Sequence, residues 1–171
     1  MNIARCRGNN IITKNEKENE KMTLTQKETD LLKDMRDQEL LCIEKYEKYS
    51  CSACSTELKN LFNSLADAER THLKTINEMM GGMVASVQSG LSADNCFCGC
   101  ANYCDDTSKK CDEFLCKDML ASEKHVSSVY NTGIFEFADP KARRMLNHIQ
   151  AEEQQHGEKI YAYMKANGMY S

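Results

Sequence analysis

One spacing occurs twice in this chain and constrains its fold more than any other feature. Glu39 precedes Glu69-Arg-Thr-His72 by 30 residues, and Glu123 precedes Glu153-Gln-Gln-His156 by the same 30. A tyrosine follows each leading glutamate by seven residues, at Tyr46 and Tyr130. A single Glu-x-x-His is a weak signal. Two copies, each announced by a glutamate at equal distance, imply an internal duplication of one structural unit.

That unit reads as a helical hairpin. Apolar residues recur at the i, i+3, i+4 spacing of amphipathic helices in four segments, about 25–50, 55–80, 110–137 and 141–167. The stripes run Leu32, Met35, Cys42, Tyr46, Tyr49; then Leu58, Leu61, Phe62, Leu65, Leu73, Ile76, Met80. The second half gives Cys116, Met119, Leu120, Val126, Tyr130, Ile134; then Met145, Leu146, Ile149, Ile160, Tyr163, Met164. Ser50-Cys-Ser-Ala-Cys-Ser55 supplies a small-residue turn, and Asp139-Pro140 a boundary with proline suited to the first helical position. Thr23 or Thr25 can cap the first helix, Gly81-Gly82 stops the second and Gly168 the fourth. A single proline and eight glycines also suit long helices. The expected fold is all-α, a four-helix bundle of two duplicated hairpins joined by a long crossover.

Each stripe is broken by residues that are costly to bury. Glu39, Glu69, His72, Glu123, Glu153 and His156 occupy inward positions, where unpaired carboxylates would repel one another and oppose folding. Four carboxylates balance two divalent cations, and two neutral imidazoles add nitrogen ligands. In an antiparallel hairpin, residues equidistant from the turn share a level, and the midpoints of 39/69 and 123/153 fall at 54 and 138, inside the expected turns. Six ligands for a metal pair are therefore expected in one layer. Tyr46 and Tyr130 are either plain core residues or donors of hydrogen bonds or electrons to that pair. His125 faces away, His148 lacks a matching partner, and Glu44 and Glu152 read as solvated.

The remaining features set limits. The net charge of −4 gives no electrostatic reason to expect nucleic acid or anionic lipid. No stretch approaches the roughly 18 apolar residues of a membrane span. Residues 1–23 are polar and read as a disordered leader, with Met1 or Met22 as the start, and 24–170 as the bundle. Without a secretory signal pattern, cytoplasmic synthesis is expected. Ten cysteines are many for a reducing compartment. Cys96, Cys98, Cys100, Cys104, Cys111 and Cys116 concentrate around the crossover, 81–109. Dense thiols there can form disulfides or inter-chain cross-links, bind zinc or copper as soft metals, or stay idle. The pair in Cys51-Ser-Ala-Cys54 is weak alone.

The constellation resembles the ferritin-like superfamily of di-iron and di-manganese carboxylate proteins, which take one Glu from each of two helices and Glu-x-x-His from the other two. Within it, Glu39-Leu-Leu-Cys-Ile-Glu-Lys-Tyr46, Leu58-Lys-Asn-Leu-Phe62, Glu69-Arg-Thr-His72 and His148-Ile-Gln-Ala-Glu-Glu-Gln-Gln-His156 resemble the coat F family of spore-forming Firmicutes. The resemblance covers about 24–170. It implies two iron or manganese ions, with Glu39 and Glu123 terminal, Glu69 and Glu153 bridging, and one imidazole on each ion. It implies synthesis in the mother cell, residence in the spore coat, and other coat proteins or further copies of this chain, in a homo-oligomer, as partners. Reaction with peroxide or oxygen is one expected function. A structural coat component cross-linked through its cysteines, with metal only stabilising the bundle, is the other. The hairpin spacing is slightly shorter than in bacterioferritin or rubrerythrin, which leaves a one-turn shift between ligand levels open. No paired Cys-x-x-Cys motifs follow, so a rubrerythrin-like electron relay is absent.

Overall fold

The computed structural model describes residues 21–87 and 100–170. The expected leader, apart from its last three residues, lies outside them, as do Cys96 and Cys98. Among the described residues there are four helices and no strands: α1 Gln26–Ser52, α2 Thr56–Met80, α3 Asp106–Glu136 and α4 Pro140–Ala166. The four expected helices are present, with α3 beginning four residues earlier than its spacing suggested.

Each helix starts where a side chain can satisfy its free amide groups. Thr25 accepts from the Glu28 amide and Glu28 returns the contact to the Thr25 amide, a capping box for α1. Ser55, Asp105 and Asp139 cap α2, α3 and α4, the last with Pro140 in the first turn. Gly82 ends α2 at φ +80, where an added Cβ would lie 2.7 Å from the Met22 carbonyl. The Met22 amide donates to the Gly82 carbonyl at 2.8 Å, so the strand of chain entering α1 is tied to the end of α2.

Helix α1 packs chiefly on α2 and α3 chiefly on α4, and the two hairpins join along α1–α3 and α2–α4. The duplication is visible in the packing. Residues 84 positions apart are buried as pairs: Leu32 with Cys116, Met35 with Met119, Leu61 with Met145, Phe62 with Leu146, Leu65 with Ile149, and Ile76 with Ile160. Equivalent positions of the two hairpins are thus filled by apolar side chains of equal or similar kind, so one core is built from two related halves.

The same offset governs a pair of buried acids that clamp the turns. The Asp112 carboxylate, on α3, accepts the Cys54 amide at 2.7 Å and the Ser55 amide at 3.0 Å in the α1–α2 turn. Glu28, on α1, accepts the Ala138 amide at 3.0 Å in the α3–α4 turn. Each hairpin thus holds the turn of the other. Burying either acid is offset by charge-assisted bonds to backbone amides, which also keep the Glu28 carboxyl below its ordinary range despite burial opposing this.

Candidate metal centre

All six residues singled out by the duplicated spacing are buried together in mid-bundle, none more than 3% exposed. Glu39 comes from α1, Glu69 and His72 from α2, Glu123 from α3, Glu153 and His156 from α4. Their ligand atoms form two sets whose members lie within 4.8 Å of one another: Glu39, Glu69, His72 and Glu153; and Glu69, Glu123, Glu153 and His156. Glu69 and Glu153 belong to both sets. The two hairpins therefore meet with the six groups at one level, without a one-turn shift.

Glu69 spans the two imidazoles, with one oxygen 2.9 Å from His72 Nδ1 and the other 3.0 Å from His156 Nδ1. Glu153 faces the same pair from α4, its oxygens 2.9 Å and 3.8 Å from those nitrogens. The rings stack with centroids 5.5 Å apart. Glu39 and Glu123 flank them at 3.7 Å from His72 Nδ1 and His156 Nδ1 respectively.

The tyrosines cross between hairpins. Tyr46 of α1 donates to Glu123 Oε1 on α3, and Tyr130 of α3 donates to Glu39 Oε1 on α1. Each outer glutamate has one oxygen held and the other aimed inward. The inward oxygens Glu39 Oε2 and Glu123 Oε2 and both oxygens of Glu153 are buried without a well-formed hydrogen bond, Glu153 Oε1 sharing His72 Nδ1 with Glu69. Buried carboxylate oxygens that outnumber their donors are costly, at about 1–3 kcal/mol or more for each one left unpaired, unless a cation joins them.

The electrostatics express the same demand. Desolvation raises the Glu39 carboxyl to about 7 and raises Glu153 well above its ordinary range, with neighbouring glutamates adding to the effect. His72 is raised well above its ordinary value, against desolvation, by bonds to Glu152, Glu153, Glu39 and Glu69. His156 is raised to about 10, also against desolvation, by Glu123 and Glu69. Without metal, protons supply the missing positive charge.

Three placements differ from the sequence reading. Glu152 is half-buried, and its Oε2 lies 3.0 Å from His72 Nε2, with His148 at 3.6 Å from its other oxygen. Reading it as solvated is corrected: its neighbour Glu153 points inward, but α4 turns Glu152 toward α2, where His72 meets it. Asp112 and Glu28 were not singled out as buried acids. Their signal was available, since each lies 11 residues, three helical turns, before a leading glutamate.

The crossover cysteines do not form one group among the described residues. Cys116 is fully buried in the α3 core, whereas Cys100, Cys104 and Cys111 are exposed, and all are free thiols. Cys100 lies near the end of α4, its sulfur 3.9 Å from the Ala166 carbonyl. Cys111 instead meets Cys54 of the α1–α2 turn. His125 is exposed, and Glu44 is exposed beside Lys48.

A cleft of about 340 Å³ lies between α3 and α4 beside the centre, lined by Leu120, Glu123, Ser127, Glu153 and Gly157 among others. No helix among the described residues is long and apolar enough to cross a membrane.

Residues 111–171 match the family model described as the Coat F domain, which takes in most of α3 and all of α4. That segment carries Glu123, Tyr130, Glu153 and His156, and α1–α2 repeats its pattern at the 84-residue offset. No curated protein and no solved structure matches the chain.

Proposed function

We propose that this chain is a ferritin-like protein of the spore coat. In this reading the six buried residues hold two iron or manganese ions that react with peroxide or oxygen. The observation that carries it is the set of four buried carboxylate oxygens with no well-formed hydrogen bond, gathered beside two stacked imidazoles. The donor set fits: four carboxylates and two nitrogens suit hard or borderline divalent ions, and their charge balances two of them. Spore-coat residence is supported by the Coat F match over residues 111–171, and synthesis in the mother cell is proposed with it.

Glu39, Glu69, His72 and Glu153 would hold one ion, and Glu69, Glu123, Glu153 and His156 the other, with Glu69 and Glu153 shared. A redox-active metal pair supplies electrons for reducing peroxide or oxygen. The protein's own part is orientation and proton control. Tyr46 and Tyr130 fix the outer carboxylates and keep a phenolic proton on each, since burial and the glutamates raise both hydroxyls well above their ordinary range. Glu152 accepts from His72 Nε2 and so directs Nδ1 to the centre. The α3–α4 cleft admits a small oxidant.

A structural reading is favoured by a separate observation, the exposed thiols of Cys51, Cys54, Cys100, Cys104 and Cys111, which could stitch the chain to coat partners or to further copies of itself. The experiment that decides is metal analysis of the purified chain with a peroxide-decay assay. The proposal expects about two iron or manganese per chain, lost in the Glu69→Gln, Glu153→Gln double variant, and peroxide consumed by the loaded protein. Metal bound with peroxide undiminished leaves the structural reading, and no metal bound refutes the centre.

A further inference from the structure

We propose that Cys54 and Cys111 are a redox-responsive disulfide pair that fastens one hairpin to the other when the protein meets a hydroperoxide. The inference is independent of the metal centre. Cys54 sits in the α1–α2 turn and Cys111 on the first turns of α3, 57 residues later in sequence. Their sulfurs lie within 4.8 Å of each other. Both residues are exposed, so an oxidant in solution can reach them.

The pair is held in place by its neighbours. Asp112, adjacent to Cys111 and itself fully buried, grips the Cys54 amide at 2.7 Å and the Ser55 amide at 3.0 Å. Tyr103 donates a third bond to the same carboxylate at 2.8 Å. The backbones on both sides of the sulfur contact are therefore fixed before any bond forms, which removes much of the entropy of bringing two thiols together. Burial and the adjoining Cys54 also raise the Cys111 thiol above its ordinary range, consistent with two sulfurs crowding each other.

The duplication provides a control written into the chain. The equivalent clamp at the opposite end, Glu28 on the Ala138 amide, has Lys27 where α3 has Cys111 and Ala138 where the α1–α2 turn has Cys54. Both cysteines stand at one end and neither at the other, although the clamp itself occurs at both. The thiols are thus no requirement of the clamp.

Two thiols and a carboxylate could also hold a soft metal. Against this, the Asp112 oxygens are already engaged by two amides and a phenol, which leaves the sulfurs short of the four ligands of a closed zinc site. The chemistry of oxidation balances with hydrogen peroxide. One sulfur attacks the peroxide O–O bond, giving a sulfenic acid and one water. The second thiol then displaces the hydroxyl as another water, forming the S–S bond. Each cysteine loses one hydrogen, and one peroxide is reduced to two waters.

The test treats the full-length chain with hydrogen peroxide, blocks remaining thiols by alkylation, and maps disulfides by mass spectrometry without reduction. The expected result is a linked peptide pair joining Cys54 to Cys111 within one chain. Oxidation should raise the midpoint of thermal unfolding by about 5–10 °C, a gain absent from Cys54→Ser and Cys111→Ser and reversed by dithiothreitol. Cys54 or Cys111 joined instead to another cysteine, linked between chains, or left alkylatable after peroxide would overturn the proposal. So would one zinc ion per chain that protects both thiols from alkylation and blocks their oxidation. Should the serine variants fail to fold, the wild-type peptide map decides alone.

Discussion

Replacing Glu152 should weaken one of the two proposed metal positions and leave the other nearly unchanged. Its Oε2 lies 3.0 Å from His72 Nε2. The residue equivalent to it across the duplication is Ala68, so the same device is not repeated for His156. A carboxylate behind a ligating imidazole fixes which nitrogen faces the metal and makes it more basic, and losing such a partner typically reduces affinity 10–100-fold. Glu152 is about one-third exposed, and water can replace part of the bond, which places Glu152→Ala near the tenfold end, about 1.4 kcal/mol. Glu152→Gln keeps an acceptor but loses the charge and should fall between. The assay is anaerobic titration of metal-free protein with cobalt(II), a spectroscopic probe, resolving two binding steps. Equal weakening of both steps, or of neither, would refute the positioning role, whereas no binding in the wild type would refute the centre itself.

Two other outcomes follow from the same geometry. In the metal-free protein, Glu39 holds a proton up to about 7 while the unfolded chain releases it near 4.5, so that contribution is present below 4.5 and disappears as pH climbs to 7. His156 acts in the same sense, its stabilisation complete below 6.5 and lost as pH rises toward 10. The thermal midpoint of the metal-free chain should therefore fall between pH 5 and 9, and metal loading should flatten the decline because cations replace those protons; a metal-free midpoint that holds level or rises would contradict this. Gly157 lines the α3–α4 cleft, where an added Cβ would sit 3.5 Å from Leu120 Cδ1, and its counterpart in the other half is Leu73. Gly157→Leu should slow metal uptake by roughly tenfold or more, about 1.4 kcal/mol in the barrier, without changing final stoichiometry in a stopped-flow cobalt titration; unchanged uptake would show that ions enter elsewhere.

The sequence carried the bundle because its strongest features were periodic. Apolar stripes at helical spacing, small-residue turns and a repeated Glu-to-Glu-x-x-His interval are local or regular signals. The four helices lie where these placed them, and the six acid and imidazole groups share one depth. What pattern could not supply was rotation. Glu152 and Glu153 are neighbours, yet a turn of about 100° per residue sends one into the centre and leaves the other against a ring from another helix. The choice depends on how α4 packs on α2.

The cysteines show the same division between what is local and what is tertiary. Density along the chain suggested that Cys111 and Cys116 belonged with the crossover thiols. Helix α3 separates them, because residues five apart lie on different faces, and Cys116 takes the core position that Leu32 fills in the first half. Cys54 joins Cys111 only because Asp112 reaches across hairpins to hold the α1–α2 turn. The duplication thus sets a shared frame, and the chain's individuality lies where that frame is broken: Glu152 against Ala68, Gly157 against Leu73, and Cys54 with Cys111 against Ala138 with Lys27. Each break makes one end or one ion position unlike its twin. A centre built from two equal halves would bind and admit ions equally from both. This one has a carboxylate support on the His72 side and a cleft beside Glu123, so the two positions are expected to differ in affinity and in access.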